Sequence, residues 1–410
     1  MAGLVSALGA GPKGLSGINA GGNKAGDIVR AHGTALYKCD GDRWVAAVPG
    51  GYTQATAPAY ATNAPQGAAA ILDAMRKVVD SVPRGADPAQ RAVIEEELGA
   101  AYATIRARLA RAADGYAIAA GPEHGQYLRF AQAFAEGSRM VPLITHGGEE
   151  NLRLVREGKV SLALAQGDAA FDAYTGKENF AADGPHAALR AVGSLYPEPV
   201  HVLTRADGAP ALVADLRGRR VAIGQPGSAS RTTALRVLEA HGLGIKDIQP
   251  LEFSLGDALV ALRRKEADAV IQVIGVPADS IRDALTEIPL RLIPLSERAI
   301  AALVAANRGY VAYPISPGAY ATQNQGVRTV ATAALLVAGT GLSDAEVGTL
   351  TREVFEKGRD FAARGSAQGT QVSAATARKD LLIPLHIAAG KGLDTIESGA
   401  AAAVPARPIK

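Results

Sequence analysis

Three stretches place glycine and small polar residues where an apolar run gives way to a helical pattern. They are Ala119-Ala120-Gly121-Pro122-Glu123-His124-Gly125-Gln126-Tyr127, Thr145-His146-Gly147-Gly148-Glu149-Glu150-Asn151 and Gly224-Gln225-Pro226-Gly227-Ser228-Ala229-Ser230-Arg231. Each sets flexible backbone at a helix N-terminus, where unpaired N–H groups and the helix dipole favour an anion. In an open α/β sheet such junctions lie at the carboxyl ends of strands, where ligands bind. Arg231 is a cation early in its helix, which works against the dipole. It reads either as a two-pronged clamp for a carboxylate or as a solvated surface arginine. Ser228 is also a good N-cap in its own right. Glu149 and Glu150 stabilise the dipole of their own helix and would repel an anion if they faced it.

Other chemistry finds little support. None of the seven histidines (His32, His124, His146, His186, His201, His241, His386) pairs with another at i, i+4, and Cys39 is the single cysteine, so neither a helical zinc motif nor an internal disulfide is available. No G-x-S-x-G elbow and no Walker A loop occurs. Gly9-Ala10-Gly11-Pro12-Lys13-Gly14 matches G-x-G-x-x-G by letter only, because no full strand precedes it and Pro12 and Gly14 oppose an immediate helix. His201 sits inside an apolar strand and reads as a hydrogen-bonded core histidine, whereas His124 and His146 fall in the candidate loops. No catalytic residue, metal site or cofactor is therefore expected.

The elements that must position the loops follow from periodicity. Short apolar runs at 116–120, 141–144, 162–166, 189–195, 200–204, 220–225, 250–253, 269–275 and 290–295 read as strands. Helices fit between most of them, at 125–137, 149–157, 229–241 and 256–265, and this alternation predicts an α/β architecture with mainly parallel sheets. Helices are also expected at 326–339, 343–363 and 371–380. Before residue 115 the pattern differs. Residues 1–26 read as a flexible tail, 28–48 as two short strands around Asp40-Gly41-Asp42, 49–68 as a loop and 67–82 as a helix. Asp87-Pro88 then looks like an N-cap with proline at the first position of a long helix over 88–113.

At 410 residues the chain is long enough for more than one domain. Apolar residues at 48% and charged residues at 20% mark it as globular. A net charge of only +3, with no Lys/Arg stripe and 5% aromatics, argues against a nucleic-acid partner. No apolar run approaches the ~20 residues that span a bilayer. Residues 3–10 are apolar but short and lack preceding basic residues, so they read as a frayed terminus or as the remnant of a trimmed export signal.

Residues 115–395 resemble the TAXI-type solute receptors of tripartite (TRAP) carriers. The resemblance rests on motifs in order and at matching spacing. Gly121-x3-Gly125-x-Tyr127 is similar to the family's first glycine-rich loop, and Thr145-x-Gly147-x3-Asn151-Leu152 to its T-x-G-S-x-x-N-L. Gln166-Gly167-Asp168 resembles Q-S-D, and Leu195-Tyr196-Pro197-Glu198-Pro199-Val200-His201-Val202 resembles L-Y-P-E-x-V-H-V. Asp215-Leu216-Arg217-Gly218, running on to Pro226-Gly227-Ser228, resembles D-L-x-G-K-x-V-x-x-G-x-P-G-S-G-T. Gly275-Val276-Pro277 and Pro384-Leu385-His386 are similar to later landmarks. The chain departs from the pattern at Gly148 and Gly167, where serine is usual, and at Ala229-Ser230, which stand for Gly-Thr.

The resemblance implies a two-lobe, type II periplasmic-binding-protein-like α/β fold with an N-terminal extension. One lobe would comprise 115–204 and 309–395, the other 205–308, with 1–114 as the extension and 396–410 as a C-terminal tail. It implies residence in the periplasm, integral membrane subunits of a TRAP carrier as partners, and a small anionic solute, an acidic amino acid or dicarboxylate, in the interlobe cleft. Motif and strand-end positions together nominate Tyr127, Thr145, Asn151, Gln166, Tyr196, Ser228, Ser230 and Arg231 as ligand contacts. Two other classes compete. One is a cytoplasmic small-molecule sensor on the same fold, although 1–114 shows no helix-turn-helix pattern. The other is an uncharacterised enzyme built on that fold.

Overall fold

The computed structural model describes residues 15–16, 28–31, 35–40 and 43–46, and then 73–402 apart from 79, 82–86, 124, 209 and 322. Apart from residues 15–16, the expected tail over 1–26 lies outside the described residues. So do the loop over 49–68, the 9–14 glycine motif, His32 and His124. The chain divides into two compact units, Met1–Ala117 with Gly137–Val141, and Ile118–Glu136 with Pro142–Lys410.

The first unit holds an antiparallel sheet of β1 (Leu15–Ser16), β2 (Ile28–Ala31), β3 (Ala35–Asp40) and β4 (Arg43–Ala46) in sequence order. Asp40 pairs with Arg43, so β3 and β4 flank the Asp-Gly-Asp signal as expected, but 28–48 holds three strands and not two. Residues 73–78 are helical. The helix α1 (Pro88–Asp114) starts as its sequence predicts, with the Asp87 side chain accepting from the Ala89 N–H and proline in the first turn.

The second unit has a mixed α/β fold and is built on one ten-stranded sheet. Its strands are β5 (Tyr116–Gly121), β6 (Met140–Ile144), β7 (Leu162–Gln166), β8 (Arg190–Arg205), β9 (Arg220–Ala222), β10 (Gln249–Leu251), β11 (Ala269–Val273), β12 (Leu290–Leu292), β13 (Val311–Ile315) and β14 (Val327–Ala338). The order is β10-β9-β11-β8-β14-β7-β5-β6, with β12 beside β8 and β13 beside β14. Two long strands hold the halves together. β8 pairs with β14 through 190–199 and with β11 and β12 through 200–205. β14 pairs with β13 at its start and with β7 at its end.

Helices α2 (Gln126–Ala135), α3 (Gly148–Arg156) and α4 (Gly167–Thr175) follow β5, β6 and β7. Helices α5 (Ala229–Ala240), α6 (Leu255–Arg263), α7 (Asp279–Glu287) and α8 (Glu297–Ala306) belong to the other half. The remainder are α9 (Asp344–Glu356), α10 (Gly358–Ala363) and α11 (Ile387–Ala402). The second half's core joins Val200, Val202, Val221, Val237 and Ile271 to Tyr310 and Val330. A neighbouring cluster adds Leu203, Leu262, Ile281 and Tyr320. Packing on this side therefore extends as far as Val330 in sequence.

Several elements differ from the sequence reading for identifiable reasons. Residues 326–339 form β14 and not a helix. A run buried along nearly its whole length carries no alternation to separate the two periods. Residues 189–195 and 200–204 are one strand, since β11 joins only from Val200 and the open edge before it tolerates Pro197 and Pro199. The sheet is mixed. β5–β7, β9–β10 and β9–β11 are parallel, but every pairing of β8 and β14 is antiparallel. Residues 374–380 are turns and not a helix, and α11 continues through Ala402.

Candidate functional site: a cleft at the strand ends

The three glycine-rich junctions meet. Pro122, Gly125, Gln126 and Tyr127 from the first, His146, Gly147 and Gly148 from the second, and Gly224, Gln225, Ser228, Ala229 and Ser230 from the third line one cavity of about 70 Å³. Gln166, Glu198 and Gln272 add polar atoms, and Phe253, Leu255, Val273 and Ile274 supply apolar wall. None of the N-cap residues of α2, α3 and α5 (Gly125, Gly147 and Ser228) makes a side-chain capping bond, and in the first turn of α3 the Glu150 N–H is taken by the Gly227 carbonyl.

The two sides approach closely over this cavity. Gln225 Nε2 donates to the His146 carbonyl at 3.0 Å, and the Glu150 N–H donates to the Gly227 carbonyl at 3.2 Å. A Cβ built on Gly147 would lie 3.2 Å from Ser228 Cα, and Gly147 sits at φ +136°, so glycine is required there twice over. A Cβ on Gly148 would lie 3.3 Å from the Ala229 methyl, and one on Gly167 3.2 Å from Thr332 Oγ1. Both departures from serine thus have a packing cause.

Four of the eight nominated contacts line the cavity: Tyr127, Gln166, Ser228 and Ser230. Thr145 and Asn151 lie beneath it. Thr145 Oγ1 donates to Asn151 Oδ1 at 2.6 Å, and Asn151 Nδ2 donates to the carbonyls of Ala120 and Leu164, tying together the carboxyl ends of β5 and β7. Tyr196 is buried behind the lining, with its hydroxyl unpartnered and its ring edge-on to Phe130. Arg231 turns away, giving Nε and Nη2 to Glu252 at 3.0 and 2.6 Å. Arg231→Ala is accordingly expected to change ligand affinity by less than about twofold, the ~0.5 kcal/mol typical of surface positions, as titration calorimetry would read.

The acidic pair that threatened an anion is engaged elsewhere. Glu149 Oε1 accepts from Thr232 and Asn179, and Glu150 Oε2 accepts from the His146 N–H. His201 is wholly buried between the Pro199 carbonyl and the Tyr320 hydroxyl, and burial pulls its pKa down to about 4, the behaviour of a core histidine.

The residue missed by sequence reasoning is Glu198. It is 2% exposed, lines the cavity and accepts from the Tyr127 hydroxyl at 2.5 Å. Burial pushes its pKa up to about 8, although the Tyr127 hydrogen bond pulls the other way. The one signal is its place in the motif Leu195–Val202, between the apolar runs 189–195 and 200–204, where a glutamate must be either buried or at a bend. Around it the amides are tightly placed. Gln126 Nε2 donates to Gln368, Gln272 Nε2 to Ser230 Oγ at 2.9 Å, and Gln166 Oε1 has no donor.

A further polar cluster joins the halves away from the cavity. Asp168 and Asp172 of α4 face Arg236 and Thr233 of α5. Arg236 Nη2 lies 2.6 Å from Asp172 Oδ2, and Asp168 Oδ2 accepts from Tyr310 at 2.5 Å, from Thr233 at 3.0 Å and from Arg236 at 3.4 Å. Burial would lower the Arg236 pKa, but Tyr310, Asp168 and Asp172 hold it above its ordinary value. Burial raises that of Asp172.

The NMT1-like family model matches residues 96–393, well over half the chain. The chain belongs to the NMT1-like family. Among solved structures, this NMT1-like chain is similar to the periplasmic aliphatic sulphonate binding protein SsuA from Escherichia coli, at 20% identity over 68% of this chain and 83% of that one, with a TM-score of 0.37. It is also similar to the periplasmic binding protein BugD, at 13% identity over 69% and 96%, TM-score 0.43. A third is an ancestral arginine-binding protein bound to arginine, at 11% over 62% and 97%, TM-score 0.38. Among the described residues no helix is long and apolar enough to cross a membrane.

Proposed function

We propose that this NMT1-like chain is an extracytoplasmic solute receptor, the binding subunit of a TRAP carrier of the TAXI kind, and that it holds a small carboxylate solute between its halves. The observation that supports this reading best is the meeting of three helix N-termini without side-chain caps on one small polar cavity. Such ends stabilise an anion through N–H groups and dipoles without any formal positive charge. The cavity, about 70 Å³, suits a small solute. The motif resemblance supports the TAXI subtype, periplasmic residence and two integral membrane partners. No turnover and no cofactor are part of this reading. We place the boundaries of the second lobe at about 200 and 330, where β8 and β14 change partners.

Glu198 refines the ligand. With its pKa near 8 it carries a proton at neutral pH, so it can donate to a carboxylate instead of repelling it. Beside an ammonium it would ionise and release that proton. A thermal-shift screen across amino acids, dicarboxylates, sugars and polyamines is expected to single out carboxylates, because a ligand at 100 times its dissociation constant adds about 2.7 kcal/mol of stability. Calorimetry in two buffers of different ionisation enthalpy then separates the cases: an acidic amino acid releases close to one proton at pH 7, a dicarboxylate none. Stabilisation by sugars or polyamines alone would remove the carboxylate from the proposal. Fractionation of cells expressing the gene with its native upstream sequence tests the location, and a purely cytosolic signal would refute it.

A further inference from the structure

A second cavity lies beside β12, and it shares no lining residue with the cleft. Its volume is about 360 Å³, against about 70 Å³ for the cleft. Leu203, Ile281, Leu285 and Tyr320 give it an apolar floor. Two strand edges make its sides. The Ala206 N–H donates to the Pro289 carbonyl and the Ile293 N–H to the Val202 carbonyl, both at 2.8 Å, so Pro289, Arg291 and Ile293 face β8. Leu290 and Leu292, which line the cavity, turn their N–H and carbonyl groups the other way. Among the described residues β12 has no second strand beside it, and these four groups have no hydrogen-bond partner.

The start of β14 makes the other side. Arg328 pairs with Pro314, which has no N–H to give, so the Arg328 carbonyl points away from β13 and takes the Leu295 N–H at 2.9 Å. The two edges meet at that bond and part before it, and Gln325, Gly326 and Val327 line the cavity on this side. Both sides are braced. Arg291 Nη2 donates to the Gly208 and Pro210 carbonyls at 2.9 and 2.6 Å, and Gln323 Nε2 to the Gln325 and Ile315 carbonyls at 2.9 and 3.3 Å. The floor is fixed too, because the Tyr320 hydroxyl is tied to His201 Nε2 at 2.8 Å and to the Ala278 N–H at 3.2 Å. Walls held in this way are formed before anything binds, which lowers the ordering cost of an occupant. Gln323 also lines the cavity, and its Oε1 is buried with no donor.

This combination selects the occupant. A bare hydrocarbon would shut away the main-chain groups of Leu290 and Leu292 unpaired, and a sugar would bury hydroxyls on an apolar floor. Arg291 is the one charged residue of the lining, its Nη2 is spent on two carbonyls, and no acidic residue lines the cavity. A charged side chain therefore finds no counterpart there. A peptide in extended form meets both demands: its N–H and carbonyl groups pair with an open strand edge, and its alternate apolar side chains rest on the floor. We infer that this gap is a second ligand site, taking a short, uncharged, apolar peptide as an added strand beside β12. The inference does not rest on the function proposed for the cleft.

Titration calorimetry on the full chain with acetylated, amidated tetrapeptides tests it, using alternating valine and threonine, leucine and serine, or phenylalanine and serine. At least one should bind, and on binding the Leu290 and Leu292 amides should exchange their hydrogens more slowly. Methylating the backbone nitrogens of that peptide should weaken it by roughly tenfold or more, the scale of one or two lost hydrogen bonds. Leu292→Pro removes one N–H from an open edge, where proline is tolerated, and Leu285→Trp fills the cavity from α7. Each should abolish binding, with circular dichroism showing that the variant is folded. Should Leu292→Pro fail to fold, Leu285→Trp and the methylated peptide still decide. Absence of binding by all three peptides overturns the inference. So does binding that survives both Leu285→Trp and backbone methylation. Slowed exchange at 224–230 in place of 290–292 also overturns it, because the peptide would then occupy the cleft.

Discussion

Replacing Arg236 with alanine is expected to cost about 3–5 kcal/mol of folding stability, the range for removing one partner of a buried ion pair. The magnitude follows from what is left behind. Asp168 and Asp172 are 1% and 5% exposed, and without the guanidinium both carboxylates must be desolvated with only neutral donors around them. Asp168 would keep Tyr310 and Thr233, while Asp172 would keep only a 3.3 Å contact from Asn307 Nδ2. Urea denaturation of the two proteins at neutral pH gives the number directly. Arg236→Lys should recover part of the loss, since a point charge cannot reach both carboxylates with a planar fork. A loss below 1 kcal/mol would mean that water already reaches the cluster and that the ion pair is screened. Because α4 and α5 belong to different halves, the same substitution should raise the radius of gyration of the unliganded protein by scattering.

Glu198 sets the second large effect, a dependence of stability on pH. Its folded pKa of about 8 lies above that of an exposed glutamate, so between those values the fold binds more protons than the unfolded chain. Stability must then fall as pH rises from about 4.5 to about 8, and level off beyond. Each tenfold difference in proton affinity between the folded and unfolded chain is worth about 1.4 kcal/mol, which makes the whole fall roughly 3–5 kcal/mol. Glu198→Gln keeps an acceptor for the Tyr127 hydroxyl and cannot ionise. It should match the parent at pH 5 and exceed it by most of that amount at pH 9. An identical slope in parent and variant would show that Glu198 is hydrated and titrates near its ordinary value.

How much of this was legible in the sequence depends on range. The three junctions announce themselves locally, through glycine, an N-terminal helix signal and a preceding apolar run, and they do meet in one cavity. Their meeting needed only the rule that strand ends in an α/β sheet share a side. Two nominated residues, Thr145 and Asn151, proved to brace the strand ends, because a polar residue in a ligand loop and one that ties the loop down look alike in one dimension. Arg231 illustrates the converse. Its partner, Glu252, comes from β10's following turn, and nothing near Arg231 in sequence foretells it. The Asp168–Arg236 cluster was invisible for the same reason, although Gln166-Gly167-Asp168 stood out as a motif. β14 was misread because a strand buried on both faces has lost the alternation by which strands are recognised.

The long strand β14 has a consequence for the order in which this protein can be made. It lies between β8 and β7, yet Ala334 partners Gln166 and Ala338 partners Leu162 from far earlier in the chain. On a ribosome, β7 and the first part of β8 emerge and wait, their edges unpaired, while the whole of the other half is synthesised and packed. Contacts of such sequence separation are slow to form, and open edges recruit other chains. The intervening half has its own core and can fold as it appears, so it presents an early, ordered scaffold onto which β14 is finally drawn. A nascent chain that has emerged only through about residue 331 should therefore hold a folded second half and an incomplete first one. The helper that such a chain most needs is one that covers strand edges, not one that shields apolar side chains.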